Sequence, residues 1–313
     1  MLDCDKYKTI NCHFCNNNLS EKLIENFYYC PNCAIATRAE KNMPIFEYSD
    51  NWVYSQYHSN INKIKANYIA KLITKIKKEG TVLDLGCGAG ILVNLLHQNN
   101  FEATGIDSSK EVIEFARNNN NGNYEHTAIT QYNTSKKFDV VVATQIIEHL
   151  RDPEDFLNRI HKLLKDDGII ILETPNLKSW NPHSFWRKRI GGMYYGKDHR
   201  IIYTPKSLTK LLGLKKFLVI KIKTKTYFPI MLEEIIESIM NRKQNKNNTG
   251  QPTNKKINVE VQKNSYIHIL KKLFNFIKYS KLTQLIFYLP NLMTQINNKG
   301  NQIIIIAKKQ SIN

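Results

Sequence analysis

The sequence predicts an α/β fold whose main body is a doubly wound, mostly parallel seven-stranded sheet. Short apolar segments alternate with helix-like segments through the middle of the chain, four cysteines in two close pairs precede them, and a basic stretch separates the last apolar segment from the others. We expect four parts: a cysteine ribbon over 1–44, the main domain over 45–229, a helical insertion over 230–299, and the last strand with a tail over 300–313.

The composition is typical of a globular protein, because 42% of the 313 residues are hydrophobic and 23% are charged. No run of 18 uncharged apolar residues occurs, and the first residues lack the cationic start of a secretory signal, so we expect neither a membrane-spanning helix nor export. The net charge of the whole chain is +18, and it is unevenly distributed. Residues 178–313 carry 26 basic and only 5 acidic side chains. The excess of positive charge favours an acidic partner for this half: a membrane surface, a nucleic acid or a phosphorylated small molecule. The alternative is that a general enrichment of the sequence in Asn, Lys and Ile produces the excess.

Four of the six cysteines form two Cys-x-x-Cys pairs, Cys12 with Cys15 and Cys30 with Cys33. Each pair makes a tight turn that directs two thiolates toward one point, and four thiolates complete a tetrahedral zinc site without an open position for water. We therefore expect a structural zinc ion. The alternatives are two disulfides or unliganded thiols, and disulfides are disfavoured where no secretory signal is expected.

A glycine-rich loop follows the first apolar strand of the main domain. Residues 81–90 read TVLDLGCGAG, so the strand leads directly into three alternate glycines, Gly86, Gly88 and Gly90. Glycines at this spacing allow a tight turn and close approach of the backbone to a ligand. A helix and a second strand come next, and that strand ends at Asp107, where nucleotide-binding sheets place a carboxylate for ribose hydroxyls.

The spacing of the glycines distinguishes between cofactors. The dinucleotide fingerprint is G-x-G-x-x-G, whereas here the third glycine comes one residue early. Asp84 stands two residues before the first glycine, and its carboxylate would repel a pyrophosphate. The same carboxylate suits a ligand with a cationic amino group, such as S-adenosylmethionine.

With these motifs the chain resembles the class I S-adenosylmethionine-dependent methyltransferases, which have a Rossmann-like sheet. The resemblance implies that the glycine loop passes beneath the methionine and adenosine of the cofactor. It places Asp84 near the amino group and Asp107 on both ribose hydroxyls. The third strand, near residues 124–130, lacks the acid that often follows it in this family, so the adenine contact is not assigned.

A second motif resembles small-molecule methyltransferases of the ubiquinone-biosynthesis O-methyltransferase type. The strand over 138–144 ends at Thr144 and continues as Gln145-Ile-Ile-Glu-His. The resemblance implies that Thr144 and Gln145 lie beside the sulfonium. His149 in this loop and His199 after the fifth strand are candidates for a general base at the carboxyl ends of the strands, although a structural role is an alternative for each.

Two further segments carry functional expectations. Tyr54 and Tyr57 precede the first strand of the central sheet and are expected to form a lid over the site, while Phe46 and Trp52 are expected to fix the ribbon to the domain. Within the insertion, residues 265–289 combine an apolar face with regularly spaced lysines, which is typical of an interfacial helix. The alternative for 265–289 is a helix pair packed on the domain.

The motifs together favour methyl transfer, with S-adenosylmethionine as cofactor, to a small-molecule, glycan or lipid-linked acceptor, at oxygen. The first alternative is an RNA methyltransferase that holds phosphates with the ribbon and the basic half. The second is a binding protein that keeps the fold without catalysis. We expect a cytoplasmic protein that associates peripherally with the inner face of an anionic membrane.

Overall fold

The computed structural model describes residues 10–19, 22–24, 27–39, 50–179, 198–226 and 300–310. The chain begins with five short strands that carry the cysteine pairs: β1 (Ile10–Asn11), β2 (Asn18–Leu19), β3 (Lys22–Ile24), β4 (Phe27–Cys30) and β5 (Ile35–Arg38). Strands β1 and β2 pair antiparallel around the first cysteine pair, and β3, β4 and β5 pair antiparallel around the second. The cysteine segment is thus built from small hairpins.

The main domain begins with two helices, α1 (Asp50–His58) and α2 (Asn60–Ile76). Strands and helices then alternate as β6 (Gly80–Leu85), α3 (Ile91–His97), β7 (Phe101–Asp107), α4 (Lys110–Asn119), β8 (Asn123–His126), β9 (Phe138–Thr144), α5 (Pro153–Leu163), β10 (Leu164–Pro175), β11 (Ile201–Ile202), α6 (Pro205–Leu214), β12 (Phe217–Lys225) and β13 (Gln302–Lys309). A single 3₁₀ turn, Ile147–His149, follows β9.

Seven strands form the central sheet, in the order β8-β7-β6-β9-β10-β13-β12. The first five are parallel, and β13 runs antiparallel to both of its neighbours. The predicted Rossmann-like, mostly parallel seven-stranded sheet is therefore confirmed. The chain order reverses between β6 and β9, and such a switch point leaves a crevice at the carboxyl ends of the strands.

The core explains why these strands are nearly continuous apolar runs. Residues 140–143 of β9 are at most 1% exposed. Parallel strands are apolar on both faces because helices cover both sides of the sheet. Helix α2 contributes Ile69 and Ile73, one turn apart, to one of these faces. The helix that follows Asp107 is α4, which Ser109 caps by accepting a hydrogen bond from the Val112 amide at 3.2 Å.

The small sheet of the cysteine ribbon is completed by a distant part of the chain. Strand β11 pairs antiparallel with β5, so that Ile201 lies opposite Thr37 and Ile202 opposite Ala36. The resulting sheet has the order β11-β5-β4-β3. Buried residues of the ribbon, Ile35 among them, share one apolar core with the central sheet. The ribbon and the central sheet are therefore packed together.

Several sequence predictions lie outside the described residues. These are the structure of the insertion over 230–299, including the amphipathic segment over 265–289, and the contacts of Phe46 and of the Trp52 side chain. Among the helices that the structure does describe, none has the length and apolar character needed to cross a bilayer.

Candidate active site

A cleft of about 670 Å³ opens at the carboxyl ends of the central strands. It is bounded by helices α1 and α2, by the glycine loop, and by the turns that follow β7, β8, β9 and β10. Seven residues predicted for the site line it: Asp84, Gly86, Gly88, Asp107, Thr144, Gln145 and His149. The switch point of the sheet and the predicted ligand site thus coincide.

The glycine loop is held in a backbone conformation that other residues rarely adopt. Gly88 has a φ of 52°, and a Cβ added there would meet no atom of the described residues within 4 Å, so this position faces the open cleft. Gly90 has a φ of 79°, and an added Cβ would lie 2.8 Å from the Tyr124 ring. Gly90 therefore permits close packing behind the loop and is not part of the cleft wall, while Gly88 leaves space for a ligand.

Asp107 is fixed at the tip of β7 by the backbone around it. The amide of Gly88 donates to Oδ2 at 3.1 Å, and the amide of Ser109 donates to Oδ1 at 3.0 Å. Burial raises the pKa of Asp107, while these backbone donors lower it. The carboxylate is positioned at the cleft wall, where it retains lone pairs to accept hydrogen bonds from vicinal hydroxyls.

Asp84 is a carboxylate buried at the wall of the cleft. Its side chain is only 3% exposed, and Oδ1 has no hydrogen-bond partner among the described residues. Burial, and secondarily the nearby Asp107, raises the pKa of Asp84 to about 8. A buried polar atom without a partner costs free energy unless a ligand satisfies it. An ammonium group fits this position, so the residues present are compatible with the amino end of S-adenosylmethionine.

His149 also lines the cleft, and Asp198 holds its imidazole. Its Nδ1 lies 3.2 Å from Oδ2 of Asp198 and 3.2 Å from the backbone oxygen of the same residue. Its Nε2 lies 3.9 Å from Oε1 of Glu148. Two acceptors at Nδ1 favour the tautomer that carries the proton there, which leaves Nε2 free to accept a proton.

The second predicted histidine lies behind the first. The rings of His149 and His199 meet edge to face with their centroids 4.8 Å apart, and His199 is not part of the cleft lining. Burial, with a contribution from His149, lowers the pKa of His199 to about 4. A base with such a pKa is weak near neutral pH.

Glu148, which precedes His149 in the chain, is fully buried. Oε2 of Glu148 accepts a hydrogen bond from Thr174 Oγ1 at 3.0 Å. Burial raises the pKa of Glu148 to about 7, although the charge of His149 opposes the shift. Because this pKa lies close to neutral pH, a small change in the charge of a neighbouring group changes the ionised fraction of Glu148.

The expectation that Tyr54 and Tyr57 form a lid is wrong. Helix α1 does border the cleft, but it does so through Val53 and Gln56. Tyr54 is 59% exposed, and the ring of Tyr57 packs against Phe115 with the centroids 5.1 Å apart. The spacing of Val53 and Gln56, three positions apart on one helical face, is the signal that identifies the inward side.

Other residues of the cleft were not predicted from the sequence. Ala128, Ile129 and Thr130 follow β8 on the side of Asp107, in the region for which no acid had been found. Further lining residues come from α2 and from the ends of β10 and its following loop: Asn62, Lys65, Ala66, Ile69, Glu173 and Asp198. Apolar, cationic and anionic groups thus all contribute to the wall of the cleft.

The four cysteines of the ribbon converge on one point. Cys12, Cys15, Cys30 and Cys33 are free thiols, and their Sγ atoms all lie within 4.8 Å of one another. The Sγ atoms of Cys15 and Cys30 are 3.6 Å apart. Zn–S bonds of about 2.3 Å in a tetrahedron need sulfurs about 3.8 Å apart, so this donor set fits one zinc ion.

The strand order and the cleft at its switch point define the class of protein: a methyltransferase fold of the Rossmann-like type. The model of a methyltransferase domain family matches residues 57–218, which is just over half of the chain. The chain therefore belongs to this family of class I S-adenosylmethionine-dependent methyltransferases.

Curated relatives share part of this domain. The ubiquinone biosynthesis O-methyltransferase of Rickettsia bellii is 34% identical over 127 residues, which cover 37% of this chain and 52% of the relative. The protein of the same name from Nitrosomonas europaea is 30% identical over 141 residues, which cover 43% of this chain and 58% of the relative. The chain thus spans about half the length of the curated relatives that it matches.

Solved structures show the same fold at low identity. A SAM-dependent methyltransferase from Archaeoglobus fulgidus aligns with a TM-score of 0.51 and 18% identity, over 83% of this chain and 99% of that chain. A phosphoethanolamine N-methyltransferase of Haemonchus contortus aligns with a TM-score of 0.51 and 16% identity, over 84% of this chain and 58% of that chain. At these identities the likeness concerns the fold.

Proposed function

We propose that this protein transfers the methyl group of S-adenosylmethionine to an oxygen atom of a small-molecule acceptor. The observation that carries the proposal is the buried Asp84 in the cleft of a methyltransferase fold, because none of the residues that the structure describes hydrogen-bonds to its Oδ1. Asp84 would take the ammonium group, and Asp107 would accept hydrogen bonds from the ribose hydroxyls. The cofactor supplies an electrophilic methyl group on a sulfonium. Thr144 and Gln145, which line the cleft after β9, would flank that group.

His149 and Asp198 provide the acid–base chemistry that an oxygen acceptor requires. His149 would accept the hydroxyl proton at Nε2, while Asp198 holds the Nδ1 proton in place. Methyl transfer is an in-line displacement, so the remaining contribution of the chain is to orient the acceptor and exclude water. Helices α1 and α2 border the cleft and serve this purpose. The names of the relatives, which specify O-methylation in ubiquinone biosynthesis, favour this over the RNA alternative.

Calorimetry with S-adenosylmethionine tests the cofactor assignment. Saturable binding is expected, and Asp107→Ala should weaken it at least tenfold, about 1.4 kcal/mol, because the ribose hydroxyls lose their acceptor. Asp166→Ala is the matched control, since the side chain of Asp166 is 89% exposed and lies outside the cleft. Binding of NADH without binding of S-adenosylmethionine would contradict the proposal.

We propose further that the four cysteines hold one structural zinc ion per chain. The convergence of their Sγ atoms supports this assignment. Elemental analysis of untagged protein should find about one zinc per chain. The double variant Cys12→Ser/Cys15→Ser should lose it, and full zinc content in that variant would rule the assignment out.

The acceptor that we propose is amphiphilic or lipid-linked, and it is reached at an anionic membrane surface. The excess of basic residues from 178 onward and the lysine-bearing segment 265–289 support this. Each lysine near an anionic surface contributes about 1 kcal/mol. Co-sedimentation with liposomes should rise with anionic lipid, fall with salt and disappear when 265–289 is deleted. If the intact protein does not co-sediment with anionic liposomes at low salt, the membrane proposal fails and a soluble acceptor becomes the better assignment.

A further inference from the structure

The cysteine ribbon contacts the loop that carries the acid–base residues. Arg38, the last residue of β5, donates from Nε to the backbone oxygen of His199 at 2.7 Å. Its backbone amide donates to the oxygen of Arg200 at 2.9 Å. The guanidinium carbon also lies 4.5 Å from the centroid of the Phe27 ring, which restricts the side chain to this direction. One residue of the ribbon thus holds two consecutive peptide groups of the loop.

The loop in turn holds the turn that bears His149. The amide of Arg200 donates to the backbone oxygen of Glu148 at 2.7 Å, and Asp198 contacts the imidazole of His149 through both its carboxylate and its carbonyl oxygen. A continuous series of hydrogen bonds therefore runs from Arg38 through residues 198–200 to His149. Energetic coupling between two sites is carried by chains of hydrogen bonds and packed side chains, and its presence is established by measurement.

A second contact joins the ribbon to the same region. Phe14, between the first two cysteines, packs against Tyr203 with the ring centroids 6.3 Å apart. Tyr203 is fully buried. It lies next to the capping residue of α6, Thr204. Because β5 also pairs with β11, the ribbon contacts every residue from 199 to 203. The ribbon therefore packs along the segment that follows Asp198.

We infer that Arg38 is a positioning residue for the active site, through which the cysteine ribbon fixes the orientation of Asp198 and His149. The catalytic meaning of this role rests on the proposed function, in which His149 accepts a proton. Arg38 itself is not part of the cleft lining. Substitution of Arg38 should therefore change the orientation of Asp198 and His149, whereas cofactor binding at the glycine loop stays unchanged.

Hydrogen exchange of the full-length protein tests this inference without a known acceptor. The reporter is the amide of Arg200, which is bonded to Glu148, and the reference is the amide of Gly86, which is bonded to the oxygen of Ile106 at 2.9 Å. Arg38→Ala should accelerate exchange at Arg200 about tenfold and leave Gly86 unchanged. Arg38→Lys, which keeps a donor, should lie between the alanine variant and wild type. Lys22→Ala is the matched control, because it removes an exposed cation from the same small sheet.

Two further measurements separate positioning from general loosening. The imidazole Cε1–H resonance of His149 should shift in Arg38→Ala and not in Lys22→Ala, and the affinity for S-adenosylmethionine should stay within about twofold of wild type. Unchanged exchange at Arg200, or equal acceleration in both variants, would overturn the inference, as would a parallel loss of cofactor affinity. If Arg38→Ala does not fold, Arg38→Lys against Lys22→Ala decides. A wild type that does not bind the cofactor refutes the proposed function, whereas the exchange and resonance measurements still report on Arg38.

Discussion

The ligand-free protein should become more stable when Asp84 is replaced by asparagine. The substitution keeps the shape of a side chain that is only 3% exposed and removes its ability to ionise. Burial raises the pKa of Asp84 from 3.8 to about 8. Between these two values the folded protein binds a proton that the unfolded chain releases, so the free energy of unfolding falls as the pH rises through this range.

The size of the effect follows from the pKa difference. Each pH unit within the window costs wild type about 1.4 kcal/mol relative to a side chain that does not titrate. The value of pH 7 lies about three units above the pKa of the unfolded chain. Asp84→Asn should therefore raise the free energy of unfolding at pH 7 by up to about 4 kcal/mol. Near pH 4 the Asp84 carboxyl is protonated in the folded protein and about half protonated in the unfolded chain, so the stabilities of the two proteins should differ by less than about 1 kcal/mol.

Urea denaturation of both proteins at pH 7 and at pH 4 measures the difference, because the other titrating groups are shared. Thermal denaturation with and without S-adenosylmethionine completes the test. The cofactor should stabilise wild type, since its ammonium satisfies the buried carboxylate, and should stabilise Asp84→Asn much less. A variant less stable than wild type at pH 7 would refute the reasoning. An equal gain at both pH values would mean that the ionisation of Asp84 is not the cause of the effect.

Two other predictions follow from the electrostatics. Burial acts against ionisation of Asp139, yet hydrogen bonds from Lys165 and Lys77 help to hold its pKa well below the ordinary range. Asp139→Asn should therefore lower the free energy of unfolding by roughly 2 kcal/mol at neutral pH. That difference should shrink as the pH falls below the ordinary aspartate pKa, which urea denaturation across pH would show. His149→Ala should slow transfer of labelled methyl groups from S-adenosylmethionine into cell extracts at least about 100-fold, and His199→Ala much less. A greater loss for the His199 variant in the same assay would contradict the assignment of the base.

The sequence was most informative where the site is local in the chain. Asp84, the glycines and Asp107 fall within one strand–loop–helix–strand unit, and the geometry of such a unit is set by its spacing alone. The ends of two adjacent parallel strands must meet at one edge of the sheet, which made the position of Asp107 predictable. The family resemblance, in contrast, was what pointed to Thr144 and Gln145, which line the cleft.

Prediction failed where the result depends on how an element is rotated or which distant segment it meets. Helix α1 is rich in aromatic residues, and composition alone pointed to Tyr54 and Tyr57, but its rotation turns Val53 and Gln56 inward. Asp198 stands beside the predicted His199, yet its contact is with His149, 49 positions away. Such a contact arises from tertiary packing, for which no local pattern exists.

The pairing of β5 with β11 has a consequence for the order in which the protein is made. Thr37 emerges from the ribosome long before Ile201, its partner across the small sheet. Until β11 arrives, the outer edge of β5 presents unpaired backbone groups that other chains can bind. Closure of so long a loop is slow compared with hairpin formation, so the nascent ribbon has an exposed edge at least until residue 201 has emerged. A chain truncated before residue 201 would keep that edge, and we expect it to aggregate more readily than the 313-residue chain.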